Sequence, residues 1–281
     1  MVKLMVDSAS DINAKEAEEL GVILLPMIVG FGEEEYLDGV DLLPTQFYEK
    51  LIEGDELPKT SQISPFRFEE AFEKATADGS ELVVVTISSK LSGTYAAAVQ
   101  ASEKFGGKVS VVDSMNACIG ERLLLQYALR LQKEEKTGAE IKAELDRVKE
   151  KVNVMALVNT LEYLKKGGRV SKAVAFAGEL LSIKPVVAVV EGEVKLIGKA
   201  LGSKKGNNLL NTLVAKKGGI DFSMPYGVVW SGLNDSMLQK YLKDSEALWK
   251  GQTENVPAYL IGSTIGTHVG PGAIGVAFFE K

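Results

Sequence analysis

Short apolar runs rich in valine, isoleucine and leucine alternate along this chain with amphipathic segments of helical period, and this alternation constrains the fold most. In the first half the apolar runs are VKLMVD, VILLPMIVGF, ELVVVTIS and KVSVVD. Each is predicted as one strand, and helical patterns separate them. Buried strands joined by helices form mostly parallel sheets with helices on their faces. The sequence therefore predicts an α/β fold.

The pattern restarts after the helical segment AEIKAELDRVKEKV, and a chain of 281 residues favours two domains. We place the boundary after residue 152, which gives domains 1–152 and 153–281. The second half is predicted to contain a strand (NVMALVN), a short helix (LEYLKKGG), a helical segment (KAVAFAGELLS), a hairpin turning at Gly192, one helix over DSMLQKYLKDSEALWKG, and a loop around His268 before the last strand (IGVAFFE).

Composition excludes several classes of function. The net charge is −6 and there is no basic block interleaved with aromatic residues, so we expect no nucleic-acid partner. Cys118 is the one cysteine, so no intrachain disulfide forms and the Cys/His spacing of zinc sites is absent. The first residues lack the apolar core of a signal peptide, and no run of about 18 apolar residues predicts a spanning helix. We expect a cytoplasmic protein.

Hydroxyl-rich stretches fall where predicted strands lead into helices, which is where open α/β sheets bind ligands. Ser92 and Gly93 in SSKLSGTY would offer a hydroxyl and main-chain N–H groups to an anion, although Ser92 could equally cap its own helix. Thr60 and Ser61 in KTSQISP have no such local explanation beyond an ordinary polar loop. Arg169 lies in the glycine turn KKGGRVS, and its planar guanidinium suits a carboxylate or a phosphate.

Other chemistries are less well supported by the residues. A metal site at the strand-end carboxylates Asp7 and Asp113 is conceivable, but such carboxylates more often cap the next turn. Cys118 has no activating neighbour and is interpreted as a packing residue. His268 could in principle activate Ser92, yet the G-x-S-x-G motif is absent and no acid is identifiable as the partner of the ring. The phosphate-binding motif G-x-x-x-x-G-K-[ST] is also absent.

Seven motifs together resemble the DegV family of bacterial lipid-binding proteins, nearly from end to end. They are VDSASDI, YLDGVDL, TSQISP, SSKLSGTY, VVDSMNACIGERLLL, LEYLKKGGRVS with IKPVV, and IGTHVGPGAIGVAF. The resemblance implies an N-terminal three-layer α/β/α domain with a parallel sheet and a C-terminal α/β domain with a mixed sheet. It also implies a long-chain fatty acid in a tunnel between the domains, whose carboxylate is presented to a separate ATP-binding kinase subunit that makes the acyl phosphate.

The family's head-group residues match Thr60, Ser92, Gly93, Arg169 and His268, with Ser61 and Thr267 as further candidates. The resemblance implies no catalytic residue, no metal and no cofactor in this chain. One departure is the segment KALGSKKGNN, which carries Lys204 and Lys205 where an arginine is expected in kinase partners. The alternatives are therefore a lipid carrier or sensor without a kinase, and a Ser/His acyl hydrolase. In a binding site, His268 would be a neutral hydrogen-bonding group.

Overall fold

The computed structural model describes residues 1–54, 56–170 and 183–281. The strands are β1 (Val2–Asp7), β2 (Ile23–Leu25), β3 (Ile28–Phe31), β4 (Glu34–Leu37), β5 (Lys59–Ser61), β6 (Glu81–Thr86), β7 (Val109–Asp113), β8 (Val152–Leu157), β9 (Ile183–Val190), β10 (Glu193–Leu201), β11 (Tyr226–Trp230), β12 (Ala258–Leu260) and β13 (Ile274–Phe279). The helices are α1 (Ala14–Leu20), α2 (Pro44–Glu53), α3 (Pro65–Thr76), α4 (Thr94–Ser102), α5 (Ile119–Lys133), α6 (Gly138–Val148), α7 (Glu162–Lys166), α8 (Gly202–Lys216), α9 (Ser236–Asp244), α10 (Glu246–Trp249) and α11 (Ser263–Val269).

The first half contains a four-stranded sheet in the order β2-β1-β6-β7, and all of its strand pairs are parallel. Consecutive residues 82–85 of β6 are each at most 1% exposed, so both faces of this strand are covered. A strand buried on both faces is typical of a sheet between two helical layers, and it explains the unbroken apolar run LVVV. The predicted parallel sheet is confirmed.

The second half contains a six-stranded mixed sheet in the order β10-β9-β8-β13-β11-β12. Its pairs are antiparallel except for β11 with β12. Strands β9 and β10 form the predicted hairpin, whose two-residue turn is Glu191–Gly192 with φ values of +52° and +81°. Positive φ at both turn positions matches the right-handed twist of the two strands. The predicted mixed sheet is confirmed as well.

Three sequence predictions are wrong in detail. The first concerns the run VILLPMIVGF, which forms two strands. Pro26 has no N–H group to donate to a strand ladder, and the chain leaves the parallel sheet there. Its second part, β3, pairs with β4 and β5 in a small antiparallel sheet that the sequence did not predict. The second error concerns the single helix expected over DSMLQKYLKDSEALWKG, which breaks at Ser245 into α9 and α10.

The third error concerns the segment around His268, which is the helix α11 and not a loop. Tertiary contacts, described below, provide the caps that the local sequence lacks. The predicted helical segment KAVAFAGELLS lies outside the described residues. Across the described ranges, none of the helices is both long and apolar enough to cross a membrane. The boundary at residue 152 stays a prediction, and the start of β8 at Val152 is compatible with it.

Candidate functional site

An apolar cavity lies between the parallel sheet of the first half and the mixed sheet of the second. It encloses about 860 Å³ of atom-free space, the part that opens to solvent included. Leu91 and Cys118 contribute to its wall from the first half, and Val158, Val187 and Ile265 do so from the second. Most wall residues are aliphatic, so the cavity suits an apolar ligand that is buried along its length.

One cross-strand row of the mixed sheet forms a floor of the cavity. Val187 on β9 pairs with Ala156 on β8, Ala156 pairs with Gly275 on β13, and Gly275 pairs with Val229 on β11. All four residues line the cavity. Four neighbouring strands span about 14 Å, so the row extends across most of the sheet. Its two central members are the smallest, which leaves a trough there.

Four of the residues singled out in the sequence meet in the cavity wall: Thr60, Ser92, Arg169 and His268. They come from β5, from the turn before α4, from the turn after α7 and from α11. These elements are distant in sequence, and the fold brings them together. Polar side chains are thus concentrated where the two halves of the chain meet, while the rest of the wall is almost entirely apolar.

His268 is hydrogen-bonded to Thr60, with 2.9 Å between His268 Nε2 and Thr60 Oγ1. The Nδ1 atom of the ring is buried and has no partner in the described part of the chain. Burial, with a smaller contribution from the charge of Arg169, lowers the pKa of His268 to about 4. The ring is therefore neutral at pH 7. It packs so closely on Gly167 that a Cβ there would lie 2.1 Å from Nδ1.

Arg169 is held by main-chain carbonyl groups. Its Nε donates to Leu91 O at 3.3 Å and its Nη1 donates to Gly167 O at 2.6 Å. Among the described residues no carboxylate forms an ion pair with this guanidinium. Partial burial lowers its pKa from the usual value, but not enough for the group to lose its charge. A half-buried cation whose other N–H groups have no partner within residues 1–54, 56–170 and 183–281 is suited to bind an anion.

Ser92 and Gly93 form the turn into α4, and the Ser92 hydroxyl takes part in the local hydrogen bonds of this turn. Ser92 Oγ accepts from Thr94 N at 3.3 Å and shares a hydrogen with Thr94 Oγ1 at 2.9 Å, as a cap does. It also lines the cavity. Gly93 is the N-cap residue of α4 and is not itself a wall residue. The local cap therefore orients the Ser92 hydroxyl beside the cavity.

The remaining candidates lie at the margin of the site. Ser61 is exposed, because it alternates with Thr60 along β5. Thr267 donates to Ser263 O at 2.9 Å within α11 and lines an outer hollow on the protein surface. Thr60, Arg169 and His268 line this hollow too, so they separate it from the apolar cavity.

Sequence reasoning missed Thr264, whose buried hydroxyl has no hydrogen-bond partner in the described ranges and which lines the cavity. Thr264 and His268 are four residues apart on α11, as are the wall residues Ile265 and Val269. Residues at this spacing share one helix face. The signal was present in STIGTHV, and it was lost when the segment was interpreted as a loop.

The contacts of Asp7, Asp113, Cys118 and His268 bear on the alternatives that the sequence left open. Asp7 accepts from Ala9 N and Ile87 N, and Asp113 accepts from Met115 N, so both carboxylates serve as caps. Cys118 is buried in the cavity wall, and burial raises the pKa of its thiol. His268 is hydrogen-bonded to Thr60 and not to Ser92, so no Ser/His pair is formed.

Because His268 is the only histidine, its imidazole gives one set of NMR signals that can be titrated directly. We expect a midpoint near pH 4 and no change around pH 6.5. The depressed pKa means that this group's contribution to folding stability is complete above about pH 6.5 and is lost as the pH falls toward 4. A midpoint near 6.5 would show that the ring is solvated and would contradict the buried placement.

Comparison with known proteins agrees with the motifs. The family model described as "Uncharacterised protein, DegV family" matches residues 1–281. A DegV domain-containing protein of Caldanaerobacter subterraneus is 31% identical over 100% of this chain and 99% of its own. A solved structure, described as fatty acid binding of a DegV family protein from Thermus thermophilus, has a TM-score of 0.88 and 32% identity, and the match covers 100% of this chain and 99% of that one.

A second structure is a DegV family protein from Eubacterium eligens loaded with heptadecanoic acid. It superposes with a TM-score of 0.83 at 26% identity and covers 100% of both chains. The match of the family model over the full chain, with relatives above 30% identity at full coverage, is decisive. The chain belongs to the DegV family.

Proposed function

We propose that this protein binds a long-chain fatty acid, with the acyl tail in the apolar cavity and the carboxylate among Thr60, Ser92, Arg169 and His268. The Gly93 N–H group would add a main-chain donor at the start of α4. The protein would then present the carboxylate to a separate ATP-dependent kinase subunit for conversion to an acyl phosphate. In this role the chain is a non-catalytic, cytoplasmic substrate-binding subunit.

The observation that carries the proposal is the distribution of polarity in the cavity. The wall of the aliphatic cavity includes a half-buried arginine that has no acidic partner among the described residues. A partly buried cation without a counter-ion is costly, so an anion that arrives with an apolar tail satisfies both parts of the site. The relatives from Thermus thermophilus and Eubacterium eligens, described as fatty acid binding and as loaded with heptadecanoic acid, support the same ligand class.

Tail and head would contribute differently to binding. Each CH₂ transferred from water to the cavity contributes about 0.8 kcal/mol, so a long tail supplies on the order of 10 kcal/mol. Each charge-assisted hydrogen bond to the carboxylate contributes about 1.5–3 kcal/mol. Affinity would therefore come mainly from the tail. The head residues would select an acid over an alcohol or an ester and would fix its orientation.

The outer hollow supports presentation of the carboxylate to a partner. A carboxylate held by Thr60, Arg169 and His268 would face this hollow, because these residues line both spaces. Phosphoryl transfer requires positioning of the acceptor more than covalent help from the acceptor's protein. This division of work suits a chain whose sequence lacks the P-loop motif.

Lipid extraction of the purified protein followed by mass spectrometry tests the first part of the proposal. We expect a C16–C18 fatty acid in the extract, and titration of delipidated protein with palmitate or oleate should show saturable binding. Incubation with ATP and the fatty acid kinase subunit of the same cell should then yield acyl phosphate. Fatty-acid binding without acyl phosphate would favour a carrier or sensor, the role suggested by Lys204 and Lys205 in place of an arginine.

A further inference from the structure

We propose that Asp38, assisted by Asp11, is a positioning residue for the carboxylate site, because it holds the helix that carries His268. This inference rests on the proposed function. It also explains two of the sequence motifs, VDSASDI and YLDGVDL, whose acidic residues do not line the cavity.

The contacts are made at the start of α11. Asp38 Oδ1 accepts from Ser263 N at 3.0 Å, and Asp38 Oδ2 accepts from Thr264 N at 3.1 Å. Asp11 Oδ1 accepts from Gly262 N at 2.8 Å. Three consecutive main-chain N–H groups are thus bound by two carboxylates that are distant in sequence. Asp38 is 1% exposed, so water does not compete for these bonds.

These contacts compensate for what α11 lacks locally. Its N-cap is Gly262, which has no side chain to accept the free N–H groups, and the helix is only seven residues long. Helices of this length are unstable on their own. Gly266 then lets α11 approach α2 closely, since a Cβ there would lie 2.6 Å from the Phe47 ring. The formation, position and rotation of α11 are therefore set by tertiary contacts. Asp38 makes two of these contacts.

The same small sheet determines both ends of the helix. Asp38 directly follows β4, and Thr60 lies on β5, while β3 pairs with both strands and places Val29 opposite Thr60. Asp38 binds the first residues of α11, and Thr60 binds the His268 ring near its last residue. The sheet thus fixes the distance between the two anchors. Any displacement of α11 at Asp38 moves His268 relative to Thr60 and Arg169.

The test uses Asp38→Asn, with Asp41→Asn as the matched control on the same connection. Asparagine keeps the size of the side chain, but only one oxygen can accept and its NH₂ group faces the second N–H. Asp41 is exposed and accepts from Leu37 N, and it makes no bond to α11. Two quantities are measured in each variant: the imidazole signals of His268 in lipid-free protein, and the affinity for palmitate and for hexadecanol, which has no carboxylate.

We expect Asp38→Asn to shift the His268 signals and to weaken palmitate binding about tenfold, while hexadecanol binding and the Asp41→Asn variant stay at parent values. Unchanged His268 signals in Asp38→Asn would overturn the proposal. So would an equal loss of palmitate and hexadecanol, because the cavity itself would then be damaged. If Asp38→Asn does not fold, Asp38→Glu is used instead. Glutamate retains the charge and displaces α11 by the length of one methylene group, so the same changes in the His268 signals and in palmitate binding are expected. If the parent binds neither ligand, the proposed function fails, and the lipid-free His268 signals still decide the role of Asp38.

Discussion

Replacing Arg169 with methionine is expected to weaken palmitate binding about 100-fold, on the order of 3 kcal/mol. Methionine retains much of the aliphatic volume, so the cavity keeps its shape and only the cationic N–H donors are lost. A carboxylate left among Thr60, Ser92 and a neutral His268 would be buried without a compensating charge. Isothermal titration of delipidated protein with palmitate measures the effect.

Hexadecanol provides the ligand control, since its affinity should be nearly the same in Arg169→Met and in the parent. Arg147→Met provides the protein control: Arg147 is exposed on α6, pairs with Glu144 and lies outside the cavity wall. Arg169→Lys should fall between the parent and Arg169→Met, because an ammonium group keeps the charge without the planar pair of donors. Equal affinity of Arg169→Met and the parent for palmitate would remove Arg169 from the head-group site.

The fold could be predicted from the sequence wherever local pattern and tertiary environment agree. The run LVVV in β6 is buried on both faces, and the turn at Gly192 needs a positive φ, so each has a local signature. The prediction failed at Pro26 for a local reason that was available, since proline cannot donate within a ladder. It failed at α11 because the partners of its first N–H groups, Asp11 and Asp38, lie more than 220 residues away in the chain.

The candidate site was predictable in its residue types and not in its geometry. Thr60, Ser92, Arg169 and His268 were singled out, and they meet in one wall. The contact of His268 with Thr60, and the lack of a described partner for the Nδ1 atom of the ring, follow from the packing of α11 against β5 and Gly167. No periodicity in the sequence carries that information. The shape of the cavity was equally inaccessible, because alternation along a strand does not show which face is left uncovered.

Ala156 is a residue on such an uncovered strand face, and its substitution is expected to have a large effect on palmitate binding. It is the penultimate residue of β8, where its neighbours Met155 and Leu157 are buried, yet Ala156 itself remains partly exposed. Together with Gly275 it forms the trough in the floor of the cavity, between Val187 and Val229. An acyl chain that follows the floor of the cavity must cross this position. Filling the trough therefore removes the path of the tail and leaves the head-group residues in place.

Ala156→Leu is expected to weaken palmitate binding about 100-fold, since about four CH₂ groups at about 0.8 kcal/mol each would lose their place. Decanoate, whose shorter tail needs less of the floor of the cavity, should lose less affinity than palmitate, so the preference for long chains is reduced. The variant should also melt at the same or a higher temperature than the parent, because filling a cavity stabilises the fold. Opposite effects on stability and on binding distinguish obstruction from misfolding.

The same substitution at Ala96, which is exposed on α4, is the matched control and should alter neither affinity. Calorimetric titration with palmitate and decanoate, together with thermal unfolding of lipid-free protein, measures all three quantities. If Ala156→Leu binds palmitate like the parent, the tail does not cross β8 at this residue and must follow the side of the cavity lined by Leu91 and Cys118. If both ligands weaken equally, the added side chain disturbs the head-group site, and Ala156 does not control chain length.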